Sequence, residues 1–120
     1  MIVFTDLDGT LLDHSSYSWQ AARPALNELQ RLDIPVILNT SKTRAELVEI
    51  LGELGLSTPY IVENGSAIFG ADHELISAPG TSRAALLAIL AEARQAGFRF
   101  TAYSDMSTSD LVHYTGLTVD

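Results

Sequence analysis

The sequence predicts an α/β protein with a Rossmann-like, three-layer parallel sheet. Short apolar segments at residues 1–5, 34–39 and 60–62 have the composition of buried strands. Two amphipathic segments separate them, and a β-α-β-α-β order is typical of a parallel sheet covered by helices. A chain of 120 residues with 47% apolar content is long enough for one packed domain or for part of a larger one.

Local signals mark the ends of both predicted helices. The first helix spans about residues 20–32, and it accommodates Pro24 only if this proline lies in its first turn. The second helix begins at Thr43 and Glu46, which have the spacing of a capping box, and it ends at Gly55. The sequence therefore predicts both helices from signals next to them in the chain.

The pattern changes after the third strand. Residues 66–70 and 74–80 flank a polar turn and predict a β-hairpin. A helix over 82–96, a half-exposed strand over 98–103 and a short final helix are expected to follow. The apolar stripe of the longer helix is predicted to face inward: Leu86, Leu87, Leu90 and Ala93.

A composition break at Pro79-Gly80 marks the predicted boundary between two modules, residues 1–78 and residues 79–120. No internal repeat is visible in the sequence. The second module ends in the segment LTVD without a closing element, so we expect it to be interrupted.

Composition excludes several classes of protein. The chain contains no cysteine, which excludes disulfides and thiolate metal sites and favours a cytoplasmic location. No apolar run approaches the roughly 18 residues of a membrane span, so no membrane partner is expected. The net charge of −8 argues against nucleic acid, but it suits a protein that meets an anionic substrate through a bound cation.

Two carboxylates follow the first predicted strand. On an extended strand Asp6 and Asp8 point to the same side, while Leu7 turns into the core. At a separation of about 4 Å these charges repel by roughly 4 kcal/mol, and a hard divalent cation such as Mg²⁺ relieves the repulsion. Gly9 lets the backbone turn towards a ligand. A capped Asp-Gly turn is the alternative interpretation.

These acids also carry a family resemblance. The stretch FTDLDGTLLD, residues 4–13, resembles motif I of the haloacid dehalogenase superfamily of phosphatases and phosphomutases. VILNTSKTRAE at 36–46 and VENGSAIF at 62–69 resemble its mannosyl-3-phosphoglycerate phosphatase branch, which has an inserted α/β cap. The resemblance implies that residues 1–78 are the N-terminal part of a core domain and that residues 79–120 begin a truncated cap.

The resemblance implies covalent phosphoryl transfer from a sugar phosphate. Asp6 is the expected nucleophile, which forms an aspartyl-phosphate, and Asp8 is the expected general acid and base. Mg²⁺ is the implied cofactor, bound by the Asp6 carboxylate and the Asp8 backbone carbonyl. By the resemblance, Thr40 matches the motif II hydroxyl that holds the phosphoryl group. A helix-entry residue is the alternative, but the capping box assigns that duty to Thr43 and leaves Thr40 for the phosphate.

Further residues are candidates for substrate binding. Thr10 belongs to the Gly-Thr pair that follows the acids. Lys42 and Arg44 lie beside a helix start, where they either attract an anion or remain solvated surface charges. The residues that leave the third strand resemble the substrate-side loop of the branch, although a turn without function is the alternative: Glu63, Asn64 and Gly65.

Two motifs of the superfamily have no clear counterpart. Motif III is a lysine or arginine, but the only lysine, Lys42, occurs too early in the chain. The stretch SDMSTSD, with Asp105 and Asp110, resembles the acidic motif IV, but a helix cap formed by Ser107 and Asp110 explains it sufficiently. We therefore expect this chain alone to be a weak or inactive phosphatase.

Three other functions remain open from the sequence. The chain is alternatively a non-catalytic binding or assembly fragment of the same fold, or a phosphomutase. A receiver-like phosphoacceptor domain fits poorly, because it needs an aspartate on the third strand and a late lysine. Since three parallel strands leave an open sheet edge, we also predict that the isolated chain self-associates, exchanges elements or aggregates.

Overall fold

The computed structural model of the protein describes residues 1–116, so the terminal LTVD segment lies outside the described residues. The chain divides into two compact units, of which the first comprises Met1–Thr81 and the second begins at Ser82. This division lies close to the predicted boundary at 78/79, and the assignment of the second unit to a cap stays a prediction. No helix within residues 1–116 is long and apolar enough to cross a membrane.

The first unit contains a five-stranded sheet in the order β1-β2-β3-β4-β5. The strands are β1 Val3–Thr5, β2 Val36–Asn39, β3 Tyr60–Val62, β4 Ala67–Phe69 and β5 Leu75–Ser77. The first three strands are parallel to one another, and the last two join them as an antiparallel hairpin. The predicted α/β class and the predicted hairpin are therefore confirmed, and the strands β1 and β2 start two residues later than expected.

Helices α1 (Arg23–Arg31) and α2 (Arg44–Leu54) connect the parallel strands. Pro24 lies in the first turn of α1, as predicted, and α1 starts at Arg23 rather than near residue 20 because a proline cannot occupy a helix interior. The α2 capping box is present, since the Thr43 hydroxyl accepts from the Glu46 N–H and the Glu46 carboxylate accepts from the Thr43 N–H.

The core of the first unit lies between these helices and one face of the sheet. Leu38 and Tyr60 are register partners on that face, and both are fully buried. Leu47 and Leu51 of α2 pack in the same cluster. Because successive strand residues face opposite sides, Phe4 belongs to the other face, where it remains 61% exposed.

The second unit contains the helices α3 (Arg83–Gln95) and α4 (Thr108–Thr115). Ser82 caps α3, and Ser107 with Asp110 forms the predicted capping box of α4. The prediction of a strand at 98–103 is wrong, since these residues form no strand. A strand needs a neighbouring strand for its hydrogen bonds, and the described part of this unit offers none. The prediction that Leu86 faces inward is also wrong, since this side chain is 50% exposed.

Candidate active site

A polar cavity of about 350 Å³ lies where the parallel strands end. Its lining residues come from the end of β2 and from the segments that follow β1, β2 and β3: Asp6, Asn39, Thr40, Ser41 and Asn64. The carboxyl ends of parallel strands are the usual ligand sites of α/β sheets. A larger apolar groove of about 550 Å³ in the second unit is lined by no carboxylate, so the cavity at the strand ends is the candidate for phosphate chemistry.

The cavity includes two residues that the sequence analysis did not single out, Asn39 and Ser41. Asn39 is the last residue of β2, and the register that pairs Thr5 with Leu38 places it beside Asp6. Ser41 directly follows Thr40. The sequence does indicate them, because both flank Thr40 at the end of the predicted second strand.

The acids that follow β1 have different environments. Asp6 lines the cavity, and Leu7 between the two acids is fully buried, as predicted. The strand ends at Thr5, however, so Asp8 lies in a turn and not on the extended segment that was assumed for the pair. Gly9 has a φ of +71°, which this turn requires.

The Asp8 carboxylate is paired with Lys42. The distance from Lys42 Nζ to Asp8 Oδ1 is 3.0 Å, and the ammonium also lies 5.6 Å from the centroid of the Tyr17 ring. Lys42 was a candidate for direct substrate binding, but its side chain is directed to Asp8 and does not line the cavity.

Thr40 is held by both neighbouring segments. Its side chain is buried, and its hydroxyl oxygen accepts a hydrogen bond of 3.2 Å from the Lys42 N–H. Its backbone N–H donates to the Ile61 carbonyl, and its carbonyl accepts from the Asn64 N–H. Thr43, in contrast, is engaged in the α2 capping box, so the two threonines have the separate surroundings that the sequence analysis predicted.

The loop that follows β3 has an unusual backbone. Glu63, Asn64 and Gly65 have φ angles of +50°, +56° and +93°. The Glu63 N–H donates to the Lys42 carbonyl at 3.0 Å, which ties this loop to the segment that follows β2. Non-glycine residues with positive φ are uncommon and often mark functional sites. Only Asn64 of the three predicted loop residues lines the cavity.

Arg44 and Thr10, which were also predicted to bind substrate, do not line the cavity. The Arg44 guanidinium lies 5.3 Å from the Phe69 ring centroid and donates to the His73 carbonyl at 3.3 Å. Arg44 therefore packs against the hairpin. The Thr10 N–H donates to the Leu7 carbonyl in the turn after Asp6, and its side chain is exposed.

The cavity offers oxygen and amide donors that suit a hard cation. Asp6 lines it together with threonine, serine and asparagine residues, a composition that fits the preference of Mg²⁺ for oxygen ligands and for one or two carboxylates. Within residues 1–116, no three histidine, aspartate or glutamate side chains are grouped closely enough to enclose a metal. This part of the chain supplies a partial ligand set.

The Asp105 and Asp110 carboxylates both accept hydrogen bonds from residues of the second unit. The backbone N–H of Ala102 donates to Asp105, and this hydrogen bond lowers the pKa of that carboxyl. Arg94 forms an ion pair with the same carboxylate. The Ser107 hydroxyl donates to Asp110 and lowers its pKa. The helix-cap interpretation of Asp110 is confirmed, and Asp105 has an arginine partner that was not foreseen.

Comparisons with known proteins agree with this geometry. The sequence model of a family described as haloacid dehalogenase-like hydrolase matches residues 3–114. A glucosyl-3-phosphoglycerate/mannosyl-3-phosphoglycerate phosphatase of Methanococcoides burtonii is 42% identical over 133 aligned positions, which cover 98% of this chain and 49% of that protein. A phosphatase of the same name from Persephonella marina is 51% identical over 58% of this chain and 26% of its own length.

Solved structures show the same fold. A haloacid dehalogenase-like hydrolase from Bacillus subtilis superposes with a TM-score of 0.63 and 27% identity, over 79% of this chain and 33% of that one. A phosphatase of the superfamily from Bacteroides thetaiotaomicron gives a TM-score of 0.69 and 19% identity, over 96% of this chain and 46% of that one. The chain spans about half the length, or less, of the curated relatives that it matches.

Proposed function

The chain belongs to the haloacid dehalogenase-like hydrolase family, and on this premise we propose that it acts as a Mg²⁺-dependent sugar-phosphate phosphatase. This family membership agrees with the resemblance of residues 4–13 to motif I of the haloacid dehalogenase superfamily. The observation that carries the proposal is the position of Asp6, which follows β1 and lines a cavity together with Thr40 and Asn64.

The proposed reaction has two steps. A carboxylate oxygen of Asp6 attacks the phosphorus of the substrate, the bond from phosphorus to the sugar oxygen breaks, and Asp8 donates a proton to that oxygen. Asp8 then takes a proton from water, whose oxygen attacks the aspartyl-phosphate. This second step releases inorganic phosphate and regenerates the Asp6 carboxylate.

The other cavity residues hold the phosphoryl group in this proposal. The Thr40 hydroxyl oxygen accepts from the Lys42 N–H, so its own proton is available to a phosphoryl oxygen. The Asn64 side chain offers a further amide at the cavity wall. The Asp6 carboxylate and the Asp8 carbonyl would hold Mg²⁺, which would supply positive charge to offset that of the carboxylate and the phosphate dianion.

The proposed substrates are mannosyl- and glucosyl-3-phosphoglycerate. Support comes from the names of the relatives and from their 42% and 51% identity to this chain. The segments 36–46 and 62–69, which resemble the mannosyl-3-phosphoglycerate phosphatase branch, contribute cavity residues. The remaining candidates of the sequence analysis, Thr10, Arg44, Glu63 and Gly65, have no assigned contact to substrate in this proposal.

The decisive experiment is phosphate release from mannosyl-3-phosphoglycerate by the 120-residue chain, with and without Mg²⁺. We expect slow release, because the chain has no clear counterpart of motifs III and IV, and we expect it to require Mg²⁺ and to vanish in Asp6→Asn, which lacks the nucleophile. Asp33→Asn is the matched control, since Asp33 precedes β2 at the opposite end of the sheet and its φ of +54° is compatible with asparagine. Release that persists in Asp6→Asn, or no release by a folded wild-type chain, contradicts the proposal.

A further inference from the structure

Lys42 is the only lysine of the chain, and its ammonium group is held close to Asp8. The Lys42 Nζ to Asp8 Oδ1 distance is 3.0 Å, and the lysine side chain is only 17% exposed, against 41% for the Asp8 side chain. Lysine side chains usually keep their charged end in water. The low exposure of this side chain, together with its ion pair to Asp8, therefore indicates a specific role for Lys42.

The ammonium also lies near the face of the Tyr17 ring. Lys42 Nζ lies 5.6 Å from the ring centroid, within the distance at which a cation is attracted to an aromatic face. The Tyr17 side chain is itself 61% exposed, so burial of its own surface does not explain its position.

A constrained loop keeps Tyr17 in this position. Tyr17 has a φ of +54°, an unfavourable conformation for a bulky residue. The Asp13 carboxylate accepts hydrogen bonds from the N–H groups of Ser15 and Ser16 at 3.1 and 2.9 Å. The Tyr17 N–H donates to the Asp13 carbonyl at 2.9 Å, and the Asp13 N–H donates to the Ser18 carbonyl. The backbone therefore maintains a strained residue at the place where its ring meets Lys42.

The backbone of Lys42 belongs to the candidate active site. Its N–H donates to the Thr40 hydroxyl, and its carbonyl accepts from the Glu63 N–H. The side chain leaves this point towards Asp8 and away from the cavity that Asp6 and Thr40 line. Lys42 thus connects the segments that follow β2 and β3 with the turn that carries Asp8.

We infer that Lys42 and Tyr17 are positioning residues for Asp8. The Lys42 ammonium holds the Asp8 carboxylate in the turn after Asp6, and the Tyr17 ring keeps the ammonium from turning into solvent. Without this partner, the Asp8 carboxylate of the free protein is free to rotate away from the negative charge of Asp6. The inference rests on the proposed function for the role of Asp8 as general acid and base.

The placement is testable without turnover, because a single lysine gives a single side-chain signal. In ¹⁵N-lysine-labelled protein we expect an ammonium cross-peak protected from solvent exchange and Lys42 Hε protons shifted by the Tyr17 ring. Asp8→Asn removes the cross-peak, and Tyr17→Leu removes the ring shift, whereas Tyr17→Phe retains it. Asp33→Asn leaves both signals unchanged. Free-lysine signals in the wild-type chain, or an unchanged cross-peak in Asp8→Asn, overturn the inference.

The positioning role is tested by steady-state kinetics. We expect Lys42→Met to lower kcat by about tenfold or more while KM changes by less than about twofold, and Lys42→Arg to recover part of the loss. Arg31→Met, which removes an exposed ion pair with Glu28 on α1, is the control with unchanged kcat. A rise in KM with kcat intact identifies Lys42 as a substrate ligand and overturns the inference.

The NMR and kinetic experiments distinguish a failure of this inference from a failure of the proposed function. If the folded wild-type chain releases no phosphate, or if Asp6→Asn remains active, the proposed function fails. The lysine signals then decide by themselves whether Lys42 is held between Asp8 and Tyr17.

Discussion

Among residues 1–116, Thr40 is the one polar residue that is buried. A buried hydroxyl lowers stability unless it is hydrogen-bonded, and its oxygen accepts from the Lys42 N–H at 3.2 Å. The hydroxyl still has a proton to donate, and Thr40 lines the cavity next to Asp6. This single side chain therefore connects the local backbone with the proposed phosphate site.

Replacing the Thr40 methyl and hydroxyl separately tests this interpretation. We expect Thr40→Val to lower phosphate release about a hundredfold, because the cavity loses a donor, and to destabilise the fold by about 1 kcal/mol, because the Lys42 N–H loses its acceptor. Thr40→Ser keeps the hydroxyl and most of the activity. Phosphate release and urea unfolding measure the two effects, and wild-type rates in Thr40→Val exclude a role for the hydroxyl.

Among the secondary-structure elements, the segment that follows β5 supports the loop that carries Asn64. The Gly80 N–H donates to the Ser66 carbonyl at 3.2 Å, and the Ser66 hydroxyl donates to the Glu63 carbonyl at 2.8 Å. A Cβ atom on Gly80 would lie 2.8 Å from the Cα of Ser66. The segment after β5 thus packs directly on the end of the strained loop.

Alanine substitutions at two glycines should have opposite effects on stability. We expect Gly80→Ala to lower the free energy of unfolding by about 1–3 kcal/mol, because its Cβ displaces the Ser66 backbone. Gly52 lies within α2, and a Cβ there meets no atom within 4 Å. Gly52→Ala should therefore stabilise the protein by up to about 1 kcal/mol. Urea titration of both variants checks this, and equal stabilities would contradict the close contact at Gly80.

The capping box that begins α2 makes stability depend on pH. The Thr43 hydroxyl and backbone N–H donate to the Glu46 carboxylate and hold its pKa below the usual 4.5. Because the folded-state pKa is the lower one, this stabilisation is present above about pH 4.5 and is lost as the pH falls through the folded value. Wild type is expected to lose stability between about pH 6 and pH 3.5. We expect this loss to be smaller in Glu46→Gln and unchanged in Thr43→Ser, which keeps the hydroxyl. Equal pH dependence of Glu46→Gln and wild type, measured by urea unfolding, would exclude this effect.

For the whole molecule, the first strand leaves apolar surface uncovered. Phe4 is 61% exposed and Ile2 is 56% exposed, and within the described part of the chain β1 pairs with β2 alone. An open strand edge beside apolar side chains is a typical site of association. The net charge of −8 opposes association between copies, and salt screens this repulsion.

We therefore predict that the isolated chain self-associates, and more strongly as salt is added. Phe4→Ser should shift light-scattering mass towards the monomer, whereas Leu32→Ser, at an exposed position after α1, should leave it unchanged. A wild-type chain that remains monomeric at all salt and protein concentrations would refute this prediction.

Much of the secondary structure of the first unit could be predicted from residues that are close together in the sequence. The Thr43 capping box, the Gly55 helix stop and the proline in the first turn of α1 act over a few positions, so they were readable without tertiary contacts. The parallel order and the hairpin followed from the spacing of apolar segments. The position of Asp6 at a strand end followed in the same way.

Other features depended on residues that are distant in the chain. Side-chain charge alone did not reveal that Lys42 pairs with Asp8 or that Arg44 packs on the Phe69 ring. The alternating segment 98–103 has the pattern of a strand, but the described part of its unit offers no strand to pair with it. A long cationic side chain reaches several partners, and a strand needs a neighbour for its hydrogen bonds. In both cases the outcome depends on which groups the fold brings together, and local sequence does not contain that information.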